Sequence, residues 1–457
     1  MSISAIEFIE QQAKLSKFWQ GAALYEQCIA ARADVLRQPD FWYAYGYEFL
    51  GMAYTVYLHQ VMERINQYGI DHVMFVAREG YLFQRVYEIL QGYVPAMVNP
   101  EVTSHYAYLS RQSTLLASTP QLTTREIVFS ATSNRYQQGL WSVFKHLGLP
   151  IEKFQPFATK HGIEFKQPIS DYWNDPKLQI FLSDMEMQAE VRLHHQQASE
   201  KLRAYLTQCQ FWGQHRKVAL VDIGWSGTIQ DNLVRAFNHL DNFPLLHGLY
   251  FGRKDQKAFL QYSNSLSHGL IYDSRNKNIN AESIDIFSEI FEMGAGAPHA
   301  STLGYELTDE GVRPIFKASQ QQSRQVEIAS DRVIAVMQRG ILDFAHQYGQ
   351  RLQDQRFTSD QCHPFVLALI TRHISFPTYE EADHIATQIG KQAQDKGEDR
   401  VCTLAVTSAE FWPALLRGQI KTALRLFKQA SWRAGSFRLL RIPGLNAVYQ
   451  LKRFTFF

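Results

Sequence analysis

The sequence predicts an α/β fold with a mainly parallel sheet, and three short segments carry this prediction. Residues 218–221 are four apolar residues, too few for a helix, as expected of a buried parallel strand. Residues 71–77 and 105–109 are two further strand candidates, rich in apolar and aromatic side chains. Helical segments separate these strands, and such alternation is typical of parallel sheets covered by helices. We therefore expect a Rossmann-like core with helical segments before, within and after it.

Length and composition indicate a folded protein of two or three domains. The chain has 457 residues, 46% of them hydrophobic and 20% charged, a balance that excludes a disordered chain. The N-terminal residues lack the order of a signal peptide, and no run approaches the roughly 18 apolar residues of a spanning helix. The four cysteines lie far apart, with no CxxC pair and no metal-site spacing. We expect reduced thiols in a cytoplasmic protein.

The helical prefix, residues 1–68, ends in a segment with many aromatic side chains. Residues 41–68 contain eight phenylalanine, tryptophan and tyrosine residues up to Tyr57, and polar residues become more frequent toward Asn66. One interpretation is a buried helix packed against the next domain. The other is an aromatic platform that stacks against sugars.

Charged side chains directly follow the first two strands. The first strand leads into Arg78, Glu79 and Gly80, and the second into Ser110 and Arg111. Open α/β sheets bind ligands at such strand ends, and arginine suits bidentate capture of phosphate or carboxylate. A surface ion pair between Arg78 and Glu79 is the alternative, although neighbours along a chain seldom pair face to face. We predict that all five residues contact an anionic ligand.

Asp222 ends the third strand, and a loop with two glycines leads from it into the next helix. Glycine permits backbone angles that other residues avoid. Free N–H groups and the dipole at a helix start favour an anion. An ordinary turn that needs glycine for steric reasons explains the same residues. The ligand contacts predicted here are Gly224, Trp225, Ser226, Gly227, Thr228 and Gln230.

The remaining core segments are a helical insertion and two more strands. The insertion spans residues of about 120–215 and is expected to cover the site. Residues 245–251 and 267–272 are the further strands, and Arg253 follows the first of them as a third predicted phosphate contact. Glu292, or its neighbour Glu289, and His299 flank a loop of small residues and are candidates for acid–base catalysis.

The predicted organisation is a helical prefix at 1–68, an α/β core at 69–305, a helical region at 306–410 and a basic tail at 411–457. After Glu410 there are nine basic and no acidic residues, which leaves 37 basic and 44 acidic residues before it, a difference of −7.

The tail carries a basic stripe beside an apolar one. Arg417, Lys421, Arg425 and Lys428 have helical spacing, and an apolar stripe lies one position away. This pattern predicts a helix at an anionic membrane surface. A helix docked on the acidic body is the alternative, and nucleic acid is not expected as a partner because the rest of the chain offers no basic face. The apolar stripe and the accompanying aromatic residues are Leu416, Ile420, Leu424, Phe427, Trp432, Phe437, Phe454, Phe456 and Phe457.

Three motifs in order resemble a bacterial family of predicted haloacid-dehalogenase-type hydrolases. They are the stretches around Arg78-Glu79-Gly80, Ser110-Arg111 and Asp222 to Gln230, and residues 292–305 with His299 are similar as well. The resemblance covers residues of about 40–305. Members of that family are commonly encoded among surface-polysaccharide glycosyltransferases, which implies a role in polysaccharide biosynthesis and glycosyltransferase partners.

One departure separates this chain from the hydrolase activity of the family. The dehalogenase nucleophile lies in an Asp-x-Asp motif, and here Gly224 stands two residues after Asp222, where the second aspartate is required. The resemblance therefore extends only to the second module of the family. The loop after Asp222 is also loosely similar to the phosphate loop of phosphoribosyltransferases.

The hypothesis that follows is a transferase acting on a phosphorylated sugar or nucleotide-sugar. Arginines 78, 111 and 253 pair with phosphate, and Asp222 binds a sugar hydroxyl or a metal, so that a divalent cation is compatible with the site. Asp222, Glu292 and His299 are the catalytic candidates. A non-catalytic binding or scaffold component of a polysaccharide assembly complex is the first alternative, and a dehalogenase-type hydrolase is the second. We expect a cytoplasmic protein that is peripheral at the inner membrane face.

Overall fold

The computed structural model describes residues 5–33, 40–130, 135–254, 263–276, 283–395, 399–442 and 444–454. Phe456 and Phe457, assigned above to the tail, lie outside the described residues, and the side chain of Phe454 does too.

A five-stranded parallel sheet forms the core, and this confirms the predicted fold class. The spatial order is β2-β1-β3-β4-β5, and every neighbouring pair is parallel. The strands are β1 (His72–Val76), β2 (Thr103–Ala107), β3 (Lys217–Trp225), β4 (Leu245–Arg253) and β5 (Ser265–Asp273).

The strand order changes direction at β1. From β1 the chain moves to β2 on one side of the sheet, and it then returns to β3 on the other side. In open parallel sheets, ligands bind in the crevice that such a reversal opens at the carboxyl ends of the two strands. Phe75 of β1 pairs with Val221 of β3. The residues that follow these two positions therefore meet at one edge.

The helical prefix packs against this sheet. It comprises α1 (Ala5–Ala33), α2 (Phe41–Tyr45), a π-helical turn (Gly46–Gly51) and α3 (Met52–Tyr68). The aromatic side chains of Tyr47, Phe49, Tyr54 and Tyr57 are fully buried. The packing interpretation is therefore correct for them, because a sugar-stacking platform requires exposed rings.

Helices alternate with the strands as expected, and the insertion between β2 and β3 is helical. Its helices have their own apolar core, which includes Phe144, Phe154 and Phe181. Arg235 of the helix after β3 lies 3.3 Å from Glu126 of the insertion and links the two. The helices of this region are α4 (Gly80–Tyr93), α5 (Arg111–Leu115), α6 (Thr124–Ser130), α7 (Arg135–Leu147), α8 (Ile151–Lys160), α9 (Pro176–Leu182), α10 (Met185–Gln208) and α11 (Thr228–Phe237).

The C-terminal part is helical except for two hairpins that the sequence analysis did not predict. The hairpins are β6 (Thr302–Thr308) with β7 (Gly311–Phe316), and β8 (Lys391–Asp395) with β9 (Asp399–Thr403). The helices are α12 (Ser283–Ile286), α13 (Glu289–Ala295), α14 (Gln322–Gln355), α15 (His363–Ser375), α16 (Tyr379–His384), α17 (Ser408–Leu416), α18 (Ile420–Gln429), α19 (Arg433–Leu440) and α20 (Leu445–Phe454).

Both hairpins place strand residues within 306–410, which was predicted to be a helical region. In the first hairpin, β7 begins at Gly311 with φ 126°, a backbone angle that favours glycine. Among the described helices, none combines the length and apolar character needed to cross a bilayer.

Candidate functional site

Two carboxylates stand at the crevice between β1 and β3. Glu79 directly precedes α4, three residues after the end of β1, and Asp222 lies within the last part of β3. Both side chains keep partial solvent access although protein surrounds them. The peptide bond between Ala77 and Arg78 is cis. Residues predicted separately, after two different strands, are thus brought together at one place.

Burial and electrostatic repulsion raise the pKa values of Glu79 and Asp222, so both carboxyl groups ionise less readily than in water. Burial raises the pKa of Glu79 to about 7, the charge of Glu292 raises it further, and Arg78 opposes the shift. Burial also raises the pKa of Asp222 well above its usual range, with the charge of Glu79 as the next cause. Since each carboxylate disfavours ionisation of the other, they titrate as a pair. Near neutral pH such a pair can hold or release a proton.

The helical prefix contacts the backbone of Asp222 through a tyrosine side chain. Its Oδ1 accepts a hydrogen bond from the backbone N–H of Ile223 at 2.8 Å. The hydroxyl of Tyr57 lies 3.0 Å from the Asp222 carbonyl oxygen and 2.7 Å from that of Leu249 in β4. Tyr57 therefore ties α3 to the ends of two adjacent strands. This contact joins residues 165 positions apart in the chain, and no local pattern predicts it.

Glu292 is a third carboxylate at this edge, and two donors orient it. Trp225 Nε1 donates to Oε1 at 2.8 Å, and Gln392 Nε2 donates to Oε2 at 3.0 Å. The Trp225 ring lies so close to β4 that a Cβ at Gly252 would be 2.4 Å from it. Lys254 Nζ is 4.6 Å from the centre of the same ring. Of the two glutamates proposed from the sequence, Glu292 is the one whose charge acts on Glu79 and Asp222.

The loop after β3 presents the amino end of α11. Gly224 has φ 91°, and a Cβ there would lie 2.4 Å from Cβ of Tyr250, so the loop needs glycine. Gly227, at φ 61°, precedes α11 and offers no side chain to cap it. In the described part of the chain, the hydroxyls of Ser226 and Thr228 have no hydrogen-bond partner. Uncapped N–H groups and two hydroxyls form a suitable setting for an anion.

Gln230 and Arg253 both make contacts within the protein. Gln230 is buried, and its Nε2 donates to Ser265 Oγ at 2.7 Å and to the Leu266 carbonyl at 2.9 Å. Arg253 is buried too, with Nη1 3.9 Å from Asp273 Oδ1. Gln230 thus joins α11 to β5, and Arg253 joins β4 to β5. These contacts are compatible with a structural role, and the ligand contacts predicted for the two residues stay a prediction.

Arg78 lies at the rim of the crevice in a cluster with two residues of α14. Its Nη1 is 2.7 Å from Glu327 Oε2, and Arg324 Nη1 is 2.9 Å from the same carboxylate oxygen. Arg324 Nη2 also donates to the Pro298 carbonyl at 2.6 Å. Glu327 thus shares its negative charge between two arginines. An anionic ligand would compete with Glu327 for Arg78.

His299 lies on the same rim and pairs with a tyrosine of β2. Its Nδ1 is 2.9 Å from the Ala300 carbonyl, and its Nε2 is 2.6 Å from the Tyr106 hydroxyl. The carbonyl can only accept, so these partners assign the proton of the neutral ring to Nδ1. Burial lowers the pKa of His299. The neutral imidazole therefore accepts a hydrogen bond from Tyr106, and the proton stays on the tyrosine because burial raises the pKa of Tyr106 well above its usual range.

The two residues predicted after β2 have different environments: Ser110 makes hydrogen bonds within the protein, and Arg111 is exposed. Ser110 Oγ donates to the Thr302 carbonyl at 2.6 Å and accepts from the Ser113 N–H at 3.0 Å, which caps α5. Arg111 begins α5 and is exposed. Gly80 is also explained by packing, because a Cβ there would lie 2.5 Å from the carbonyl carbon of Phe75.

A groove of about 790 Å³ runs beside the rim, between α4 and α14. Its lining includes Pro298, the neighbour of His299, and both apolar and charged side chains. Polar groups of the groove wall include Tyr81, Arg85, Asp331, Arg339, Asp343 and His346. The lining is therefore mixed in polarity.

The sequence did not decide whether the site binds a metal ion, and the geometry of the described residues limits the groups of side chains that could bind one. Among the described residues, no group of three or more histidine, cysteine, aspartate or glutamate side chains is arranged to hold a metal ion. Glu79 and Asp222 alone supply at most two carboxylate ligands. Mg²⁺ is often bound in that way, with substrate phosphates and water completing its coordination.

Several residues of the site escaped the sequence analysis. Tyr57, Tyr106, Arg324, Glu327 and Gln392 reach the crevice from elements far along the chain. Only the aromatic content of residues 41–68 hinted at Tyr57.

No protein-family model matches this chain, and a comparison with curated proteins found no match.

Proposed function

We propose that this protein is a transferase that acts on a phosphorylated sugar or a nucleotide-sugar. One observation carries the proposal: Glu79 and Asp222 meet the uncapped amino end of α11 at the point where the strand order reverses. Carboxylates with raised pKa values in an accessible crevice are typical of catalytic sites. Ligands of open α/β folds bind at the same place.

The donor phosphate occupies the loop before α11 in this proposal. The N–H groups after Gly227 point to it, and the hydroxyls of Ser226 and Thr228 add two donors. Arg78 and exposed Arg111 supply positive charge from the neighbouring strand ends. Asp222 and Glu79 then face the sugar, since carboxylates accept hydrogen bonds from sugar hydroxyls.

The proposed reaction uses Glu79 as the general base. Glu79 takes the proton of an acceptor hydroxyl, and the acceptor oxygen forms a bond to the anomeric carbon of the sugar. The bond between that carbon and the phosphate oxygen breaks, and the phosphate group leaves with the electron pair. The amino end of α11 stabilises the charge that collects on the leaving group. A base with a pKa near 7 suits this task at neutral pH.

The other candidates have supporting roles. Glu292, oriented by Trp225 and Gln392, raises the pKa values of both carboxylates. His299, which accepts a hydrogen bond from Tyr106, orients the rim of the crevice toward the substrate. A divalent cation bound by Asp222 and the phosphate would neutralise charge on the leaving group and would leave Glu79 available as the base. The adjacent groove between α4 and α14 takes the acceptor.

The biological setting of the proposal is surface-polysaccharide biosynthesis at an anionic membrane. It rests on the ordered motifs around Arg78, Arg111 and Asp222 that resemble a family encoded among glycosyltransferases. Glycosyltransferases are accordingly the proposed partners. The basic C-terminal helices provide the attachment to the membrane.

A non-catalytic binding or scaffold component is the second candidate, and one observation favours it. Arg78 is already paired with Glu327, as expected of a structural ion pair. A scaffold would retain its function when the carboxylates are neutralised, whereas a transferase would not.

Substitution of Asp222 tests the proposal. Asp222→Asn preserves the shape of the side chain but removes the carboxyl group that takes up and releases a proton, so we expect at least tenfold loss of glycan product in the source organism. Asp241→Asn is the matched control, because Asp241 is exposed before β4, at the opposite edge of the sheet. A thermal-shift screen with phosphosugars and nucleotide-sugars identifies the donor for direct assays. Unchanged product with Asp222→Asn, from a protein that melts normally, would favour the scaffold.

A further inference from the structure

An apolar strip is exposed on α18. Ile420 and Leu424 lie one helical turn apart, with 57% and 52% of their surface exposed. Leu416, at the end of the preceding helix α17, is 84% exposed. Large apolar side chains that cluster on a surface indicate an interaction site.

A basic stripe lies next to this strip. Lys421, Arg425 and Lys428 follow helical spacing on α18, and all three are exposed. Within the described part of the chain, none of the three takes part in a salt bridge. The acidic body therefore does not neutralise them, although the sequence analysis left that alternative open.

The structure also corrects the predicted continuous stripe. Gly418, at φ 70°, separates α17 from α18. Arg417 and Leu416 consequently lie at the end of α17, and the regular stripe is confined to α18. The shortened stripe still combines an apolar and a basic face.

The inner face of α18 already packs against the protein, so burial of this helix in the core does not require its outer face. Ala423 is fully buried, and the rings of Phe427 and Phe437 are 4.8 Å apart. The following helix is anchored by Trp432, whose Nε1 donates to the Ile374 carbonyl at 2.9 Å. The docked interpretation of the tail is therefore correct for Trp432. The outer face of α18 points away from these contacts.

We infer that this outer face docks on an anionic lipid bilayer. Ile420 and Leu424 enter the boundary between headgroups and acyl chains, and Lys421, Arg425 and Lys428 contact lipid phosphates. An amphipathic helix with an apolar strip and a basic flank binds in this way. Charge complementarity supports the choice of occupant, because residues 411–457 contain nine basic and no acidic residues. The inference does not depend on the proposed transferase activity.

Co-sedimentation of the full chain with vesicles tests the basic stripe. The vesicles contain phosphatidylcholine alone or phosphatidylcholine mixed with phosphatidylglycerol. We expect binding to the mixed vesicles only, and at least a tenfold weaker partition coefficient for Lys421→Glu with Arg425→Glu. The control, Arg192→Glu with Arg203→Glu, makes the same charge change at exposed positions of α10 and retains binding.

A second variant tests the apolar strip. Ile420→Ser with Leu424→Ser keeps every charge, and we expect it to lose binding at least tenfold. The control is Ile180→Ser with Leu193→Ser, at positions that are 57% and 44% exposed on the insertion. The inference is overturned by equal binding to both vesicle types, by no binding at all, or by equal losses in variants and controls.

Ligand binding in the absence of vesicles separates this inference from the proposed function. All four variants should keep the melting temperature and donor affinity of the wild type, since their substitutions lie outside the crevice. Loss of vesicle binding with donor binding intact then concerns the membrane surface alone.

Discussion

Glu79 is the residue of the crevice whose environment matters most for the proposed reaction, because its pKa lies near neutrality. It follows a buried strand, keeps partial access to solvent, and lies close enough to Asp222 and Glu292 to feel their charge. Burial and repulsion together hold its proton to about pH 7, while Arg78 acts in the opposite direction. A solvated glutamate would lose its proton more than two pH units earlier and would be a much weaker base near neutrality.

The raised pKa of Glu79 predicts how stability depends on pH. The unfolded chain loses this proton near pH 4.5, whereas the folded protein keeps it until about pH 7. Stability should therefore fall as pH rises between these values, by about 3 kcal/mol from this group. Glu79→Gln should remove that fall and be the more stable form above pH 7. Urea unfolding across this pH window measures it.

The exposed Glu101→Gln is the control for this experiment, because it removes a glutamate that lies outside the crevice. It should leave the pH dependence of the wild type unchanged. Parallel stability curves for the wild type and Glu79→Gln would show that Glu79 has an ordinary pKa, and the proposed general base would then have to be abandoned.

At the scale of elements, the site depends on two places where glycine lets the backbone pack closely against a neighbouring strand. Gly80 lets the first turn of α4 lie against the backbone of Phe75 in β1, and Gly224 lets β3 turn beside Tyr250. Each approach places an acidic residue, Glu79 or Asp222, at the edge of the crevice. Motif glycines that the sequence analysis assigned to a ligand are thus required by packing as well.

Substitution of Gly80 tests this dependence. A Cβ there would lie 2.5 Å from the carbonyl carbon of Phe75, so Gly80→Ala should destabilise the fold by about 1–3 kcal/mol. Gly92→Ala lies in the same helix with no other atom within 4 Å of the added Cβ, and it should stabilise by about 0.5–1 kcal/mol. Denaturant unfolding compares the two. Equal effects would contradict the account of α4.

The strands were predictable because their apolar runs end at charged or glycine-containing loops. All five strands of the core lie within a few residues of their expected positions. The hairpin β6–β7 was missed because β6 contains a glycine and several polar residues and has no apolar run. The break at Gly418 was missed because the stripe from Arg417 to Lys428 continues its spacing across the turn.

At the scale of the whole molecule, strand order decides which loops meet. The sequence places Glu79 and Asp222 at strand ends, and only the order β2-β1-β3 makes those ends neighbours. The partners that complete the site come from further away, such as Glu327 of α14 on Arg78. Long-range pairs of this kind have no local signature, which explains why Tyr57, Arg324 and Glu327 were not predicted to belong to the site.

The helical regions therefore do more than surround the sheet. The prefix supplies Tyr57 beneath Asp222, and α14 supplies the cluster at the rim and one wall of the groove. The C-terminal helices dock through Trp432 and leave α18 facing outward. The chemistry and the membrane attachment proposed above thus belong to one folded body.

A crystal structure with the nucleotide-sugar that most raises the melting temperature tests the central claim most directly. We expect the phosphates at the amino end of α11, beside Gly227, and the sugar between Glu79 and Asp222. A ligand seated elsewhere, with the crevice between β1 and β3 empty, would contradict the claim.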